Sequence, residues 1–442
     1  WRSAAARVRR SPARSPSLSG CGRNTVFSGK QTMNNEIAVV GGGAAGMMAA
    51  IAAAERGARV TLLEPNERLG KKLNITGKGR CNVTNNCSME ELLANIPRNG
   101  RFLWSAFSRF NAQDAMVFFE ELGVPLKTER GNRVFPQSDR SFDVSGALER
   151  RLRRLHVRIV RDRALSIETE GGAVCAVLGE QARYPAQAVI LATGGVSYPA
   201  TGSTGDGYTF ASEAGHDIEP LRPSLTPLVS SHPRVRQLDR LLLRNVRATL
   251  WIDDAPVREE FGELGFSERG IEGAVALRMS RDAVDALIEG RRVKIVVDLK
   301  PALTEEVLRD RIARELAAME PTEFFGELLR KLVPRSMVLP LAQELDIHSK
   351  TYVSKLSEAE IVRLIRTLKG LTFPVTDYAP FEYAVTTAGG VRCDEVNPET
   401  MESLKVRGLY FAGEVLDLDA NTGGYNLQIA FSTGRLAGML KK

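Results

Sequence analysis

The segment EIAVVGGGAAGMMAAIAAAERGARVTLLEPN, residues 36–66, constrains this chain more than any other. Ile37 to Val40 is a short apolar run of the kind that forms a buried parallel strand. Gly41, Gly43 and Gly46 then fit G-x-G-x-x-G. Gly41 permits the tight turn, Gly43 lets backbone approach a pyrophosphate, and Gly46 lets helix and strand pack closely. The alanine-rich run after them is a strong helix former whose N-terminus offers free N–H groups to phosphate. Gly57 ends that helix and ARVTLLE is a second strand. Glu64 closes the strand, 18 residues after Gly46, where an acid accepts hydrogen bonds from the ribose hydroxyls of an adenosine. Strand, glycines, helix, strand and acid in this order predict an α/β nucleotide site. Nicotinamide and flavin enzymes both begin this way.

The remainder of the chain separates the two. VRGLYFAGEVLDLDANTGGYNLQIAFSTGRLAG, residues 406–438, reads as strand, loop and helix. Gly423 and Gly424 open that helix, permit close approach to a planar ring, and bring a positive dipole end that suits the N1–C2=O edge of a reduced flavin. AVILATGGVSYPATGSTGDGYTFASEAGH, residues 188–216, supplies another buried strand, a tight exit at Thr193–Gly195, and glycines 202, 205 and 207 before a helix. NITGKGRCNVTNN, residues 74–86, lies inside this frame. Its expected place is beside the pyrophosphate and ring, with Cys81 a flavin contact rather than a nucleophile. A catalytic thiol needs a lowered pKa, which Lys78 and Arg80 could provide.

Composition narrows the remaining classes. The net charge is +7 over 442 residues. Residues 1–32 carry seven basic side chains and no acid, so the rest is formally neutral. That basic, Ser- and Ala-rich stretch cannot build a core and is expected to be disordered, with Met33 as the natural start. No apolar run approaches the ~18–20 residues of a membrane span. Five cysteines without a C-x-x-C pair and four scattered histidines argue against a zinc site or a disulfide framework. Reduced thiols and a cytoplasmic location are expected.

Residues 222–378 differ in style from their flanks. LTPLVSS, RATLWID, EEFGELGFS and VKIVVDL read as strands in a β-rich part, 222–300. TEEVLRDRIARELAAM, TEFFGELLRKLV, RSMVLPLAQEL and SEAEIVRLIRTLKG show helical spacing in a part covering 301–370. The nucleotide domain is therefore expected from 33–221 and 379–442. Two basic clusters survive the charge correction: Arg150, Arg151, Arg153, Arg154, Arg158, Arg161 and Arg163, and Arg222, Arg234, Arg236, Arg240, Arg244 and Arg247. Each is a solvated face or an electrostatic footprint for RNA.

Five blocks in one order, VVGGGAAGMMAA, ITGKGRCNVTN, VFPQSDRSFDVSGAL, VILATGGVSYPATGSTGDGY and GLYFAGEVLDLDANTGGYNLQIAFSTG, resemble the BaiN/RdsA family of NAD(P)/FAD-dependent oxidoreductases, also labelled aminoacetone oxidase family flavoproteins. The resemblance implies a split FAD-binding Rossmann-type domain with inserted β-barrel-like and helical units. It implies FAD contacts at Gly41, Gly43, Ala44, Ala45 and Gly46, at Glu64, and at Arg80, Cys81 and Asn82. Gly413, Glu414, Gly424, Tyr425 and Asn426 complete the set. The chain departs from the family pattern at Lys78, Gly265, Glu272, Ala274 and Ala420.

Three functions follow. The first is a FAD enzyme moving a hydride to or from an organic small molecule, with NAD(P)H as a transient reductant visiting the same cleft. No proton donor stands out, and Tyr425 and Cys81 are the candidates. The second keeps the flavin and reduces a uridine C=C bond in structured RNA. The third is a FAD-binding redox sensor without turnover.

Overall fold

The structure, a computed structural model, describes residues 36–440. The disordered segment expected over 1–32 and the start at Met33 lie outside the described residues. Glu36–Val40 and Arg59–Leu63 pair in parallel, joined by the helix Ala44–Glu55. Met47, Met48 and Ile51 of that helix are fully buried, each such side chain contributing about 1.5–3 kcal/mol. Ala188–Leu191 pairs with the other side of Glu36–Val40, and Leu409–Phe411 lies beyond it. Arg158–Val160 forms the opposite edge. The five-stranded parallel sheet thus draws its strands from two widely separated parts of the sequence. Its order reverses at Glu36–Val40, because the next strand in sequence lies on one side and Ala188–Leu191 on the other. A crevice opens at the carboxyl ends of strands at such a point.

The helix Tyr425–Gly438 covers this sheet against Ala44–Glu55. A Cβ at Gly434 would run into the Ala45 carbonyl, and one at Gly438 into the Ala49 carbonyl. The two helices therefore meet backbone to backbone. Gln428, fully buried on the same helix, donates to the Phe110 carbonyl at 3.0 Å and accepts from Thr84 Oγ1 at 2.6 Å. That ties the helix to the short strand Thr84–Asn85.

The inserted strands close into a six-stranded antiparallel barrel, in the order Leu228–Ser230, Gly270–Glu272, Ala255–Ser267, Leu242–Ile252, Val293–Asp298 and Leu371–Tyr378. Four helices follow the expected helical patterns: Glu305–Ala317, Phe325–Leu332, Val338–Glu344 and Glu358–Lys369. Thr304 and Ser357 cap two of them, accepting from Val307 N and Glu360 N. Barrel and helices share an apolar core of their own, separate from that of the parallel sheet. Three elements of this inserted part were not evident in the sequence, the short barrel strand Gly270–Glu272 among them. Leu371–Tyr378 carries Pro374, which argues against a strand; it lies just past the last pair with Leu228–Ser230, beside a register shift. The helix Gly273–Ile288 buries Val275, Ala276, Met279, Ala283 and Ala286 and packs on the barrel strands.

Replacing glycine by alanine inside a helix ordinarily adds up to about 1 kcal/mol of stability. Gly434→Ala should instead remove about 1–3 kcal/mol, measured by urea or thermal denaturation. A gain in stability would mean the two helices can separate at no cost.

Candidate functional site

The crevice at the reversal point is a cleft with about 1350 Å³ of open space, its mouth included. Val40, Leu63, Ala192 and Ala412, at the carboxyl ends of four parallel strands, form its base. The three motif glycines differ in their reasons for being glycine. Gly41 has φ +103°, and a Cβ there would press on the Ala192 carbonyl at 2.5 Å. A Cβ at Gly46 would strike the Gly41 carbonyl. At Gly43 it would meet nothing within 4 Å, because the residue faces the open cleft. The helix that starts at Ala44 has no side-chain cap and no acid in its first turn. Its N–H groups and positive dipole end therefore remain available to an anion.

Glu64 stands beside this turn. Its Oε2 accepts from Gly42 N at 2.8 Å, and its Oε1 from Asn66 N at 2.9 Å and Asn66 Nδ2 at 2.7 Å. The remaining acceptor position on Oε2 is what a ribose hydroxyl would use. Across the cleft, Glu414 accepts from Lys72 Nζ at 2.7 Å, Ser197 Oγ at 2.7 Å and Thr387 N at 2.9 Å. Burial works against this carboxylate, but the Lys72 ammonium and the two hydrogen bonds outweigh it and hold its pKa below the usual range. Thr193 Oγ1 is buried in the same wall without a partner. A second uncapped helix start meets the cleft at Asn426 and Leu427. An uncapped helix start beside open space, an orphaned hydroxyl and acids on both walls fit a dinucleotide.

Of the residues expected at the cofactor, Gly41, Gly43, Ala44, Ala45, Glu64, Glu414 and Asn426 line the cleft. Asn426 also clamps the Ala420 backbone, its Oδ1 accepting from the N–H and its Nδ2 donating to the carbonyl, both at 2.9 Å. Gly46, Gly413 and Gly424 lie behind the lining. A Cβ on Gly413 would meet that of Ala45 at 2.8 Å, and one on Gly424 would strike the Thr84 backbone. Contacts between chain segments thus require both glycines. Arg80, Cys81, Asn82 and Tyr425 are also outside the lining. Arg80 pairs with Glu129 and Asp139 and sits 4.1 Å over the Phe135 ring. Tyr425 is half-buried, and burial pushes its phenol up to about 12. Lys72, Ser197, Thr387 and Thr193 had no assigned role in the sequence. Thr193 left a trace, as the start of the tight exit after the strand Ala188–Leu191.

Nine of the thirteen clustered arginines pair with the protein's own acids; Arg150, Arg154, Arg158 and Arg236 have no acid partner among the described residues. Arg151 pairs with Glu55, Arg153 with Glu149, Arg161 with Glu67, and Arg163 with Asp206. Arg222 pairs with Asp285, Arg234 with Glu344, Arg240 with Asp239, Arg244 with Glu263 and Arg247 with Glu259. Among the described residues, no group of acids, cysteines and histidines is placed to hold a metal ion. Nor is any described helix long and apolar enough to cross a membrane.

Cys81 is fully buried with φ +59°, and its N–H donates to the Thr76 carbonyl at 3.0 Å. Burial pushes its thiol up to about 12, so at pH 8 the thiolate is a trace species. Iodoacetamide at pH 8 should leave Cys81 unmodified in the native protein and label it after unfolding, as read by peptide mass mapping. Rapid native labelling would contradict this burial.

A 3-dehydro-bile acid delta(4,6)-reductase of Clostridium scindens is 35% identical to this chain over 410 residues, 91% of this chain and 98% of that protein. A ribosomal RNA dihydrouridine synthase of Escherichia coli is 28% identical over 404 residues, 89% of this chain and 95% of that protein. Among solved structures, a 3-ketosteroid-delta4-(5alpha)-dehydrogenase from Rhodococcus jostii aligns over 93% of this chain and 98% of its own, with 15% identity and a TM-score of 0.49. The HI0933-like protein Rossmann domain matches residues 35–440, and the chain belongs to that family of FAD-dependent oxidoreductases.

Proposed function

We propose that this protein transfers a hydride between FAD in the cleft, reduced by NAD(P)H, and a small organic molecule with a polarised C=C bond. The observation that carries the choice of substrate class is the pairing of the arginine clusters. Nine of the thirteen guanidiniums are paired with Asp or Glu, which lowers the net positive charge they offer an RNA backbone. The bile acid reductase spanned almost end to end by this chain points the same way.

A bound flavin supplies the hydride chemistry; the chain's own residues orient and stabilise it. The free N–H groups at Ala44 and Ala45 would hold the diphosphate, with Gly43 leaving room for it. Glu64 would fix the adenosine ribose and Glu414 a hydroxyl nearer the ring. The helix start at Tyr425–Leu427 would favour negative charge at the reacting end. The barrel unit, which we place at 222–378, shapes the substrate side. It already meets the loop before the helix Tyr425–Gly438: Arg258 Nη2 donates to Asn421 Oδ1 at 3.2 Å, and Arg281 Nη2 lies 3.3 Å from Asp419 Oδ1. Clefts between units are where such substrates bind. Tyr425 and Cys81 both lie outside the cleft lining; Tyr425, half-buried where Cys81 is fully buried, is retained as the proton-donor candidate. Similarity to ribosomal RNA dihydrouridine synthases supports the second reading, with a uridine as acceptor.

Two experiments test this. Gly43→Ala should leave folding stability within about 0.5 kcal/mol of wild type, because the added methyl meets no protein atom, yet weaken FAD binding in a flavin-fluorescence titration. Unchanged affinity would remove the diphosphate from this turn. In the second, NADH or NADPH is added anaerobically to the holoprotein and the bleached flavin is offered acceptors. Reoxidation by a conjugated steroid enone, with a product two hydrogens heavier, is the expected result. Reoxidation by ribosomal RNA alone would establish the second reading. Reduction with no acceptor turned over would leave a redox sensor.

A further inference from the structure

Lys72 is a cation of the cleft wall held on two protein side chains. Its Nζ donates to Glu414 Oε2 at 2.7 Å and Oε1 at 3.0 Å, and to Ser197 Oγ at 2.5 Å. The two Glu414 contacts fall on one side of the ammonium and the Ser197 contact on another, so Lys72 is tethered to two protein side chains. Glu414 is filled unevenly. Its Oε1 accepts from Ser197, Thr387 N and Lys72, while Oε2 accepts from Lys72 alone. Oε2 therefore keeps an acceptor position, and the residue lines the cleft. Both side chains are about one-fifth exposed, 21% for Lys72 and 19% for Glu414.

We propose that Lys72 is a positioning residue, which acts by keeping Glu414 an ionised, fixed hydrogen-bond acceptor for a hydroxyl of the bound flavin. This rests on the reading of the cleft as the FAD site. The groups facing Glu414 leave Lys72 as its only counter-ion. Ser197 and Thr387 N are neutral donors, and the Tyr208 phenol reaches the Glu414 backbone carbonyl at 3.2 Å. Burial raises the pKa of that phenol and keeps it neutral, and Asp417, the other charge near it, is an acid. Burial alone would favour the protonated form of Glu414; Lys72 reverses that and depresses the carboxyl pKa. The ionised acceptor is thus present above the depressed value and lost only as pH falls through it. Without Lys72, burial dominates and the loss moves to higher pH.

The test titrates FAD into flavin-stripped full-length protein between pH 5 and 8, following flavin fluorescence. Wild type should bind with an affinity flat across this range. Lys72→Met should lose up to about tenfold in affinity for each pH unit below the displaced carboxyl pKa, levelling off at the affinity of Glu414→Gln, and Lys72→Arg should restore most of the flat profile. Glu414→Gln should bind more weakly by one factor at every pH, with or without Lys72→Met. A Lys72→Met variant at wild-type affinity throughout, or weakened equally at every pH, would overturn the proposal. Should Lys72→Met fail to fold, Glu414→Gln binding as well as wild type would overturn it alone. A wild-type protein that binds no FAD at any pH would instead overturn the reading of the cleft.

Discussion

The structure depends on the contact between the helices Ala44–Glu55 and Tyr425–Gly438. They touch through backbone because Gly434 and Gly438 present no side chain to the Ala45 and Ala49 carbonyls. Close approach maximises dispersion contact along their length. It also fixes where two helix N-termini lie relative to each other. One start is aimed into the cleft beside Gly43, and the other reaches it at Asn426 and Leu427. A bulkier residue at the crossing would move one dipole end away from the other, so the spacing of the anion-favouring points in the cleft is a packing property.

The same economy of side chains explains which parts could be read from sequence. The first strand, glycine turn, helix and acid follow from local chemistry, and the sheet places them as that chemistry requires. The barrel strands with alternating burial and the helices with Ser or Thr caps were legible for the same reason. Leu371–Tyr378 was not, because a proline in a strand is tolerated only where a neighbouring strand ends, which no local pattern reveals. Partnerships between distant residues were equally hidden. Arg80 looks like a phosphate ligand in isolation, and its carboxylate partners are 49 and 59 residues away. Thr387 enters the site through a backbone N–H, to which its side chain gives no clue.

Formal charge also misleads when read along the chain. The runs around Arg150 and Arg222 look like open basic surface, yet acids from other elements reach most of their guanidiniums. Many of these pairs are solvent-exposed and individually worth little to stability. Each pair lowers the net positive charge that its arginine presents to solvent.

The cleft has a consequence for the order in which the protein is made. Its walls join Lys72 to Glu414 across 342 positions and complete the sheet with Leu409–Phe411. The inserted barrel and helices bury a core drawn entirely from their own stretch of sequence. On the ribosome that unit can therefore become globular while the nucleotide fold still lacks an edge strand and its covering helix. The glycine turn is synthesised early but has no wall opposite it until the residues after 408 emerge. A ligand held between both walls is thereby captured only after those residues have emerged.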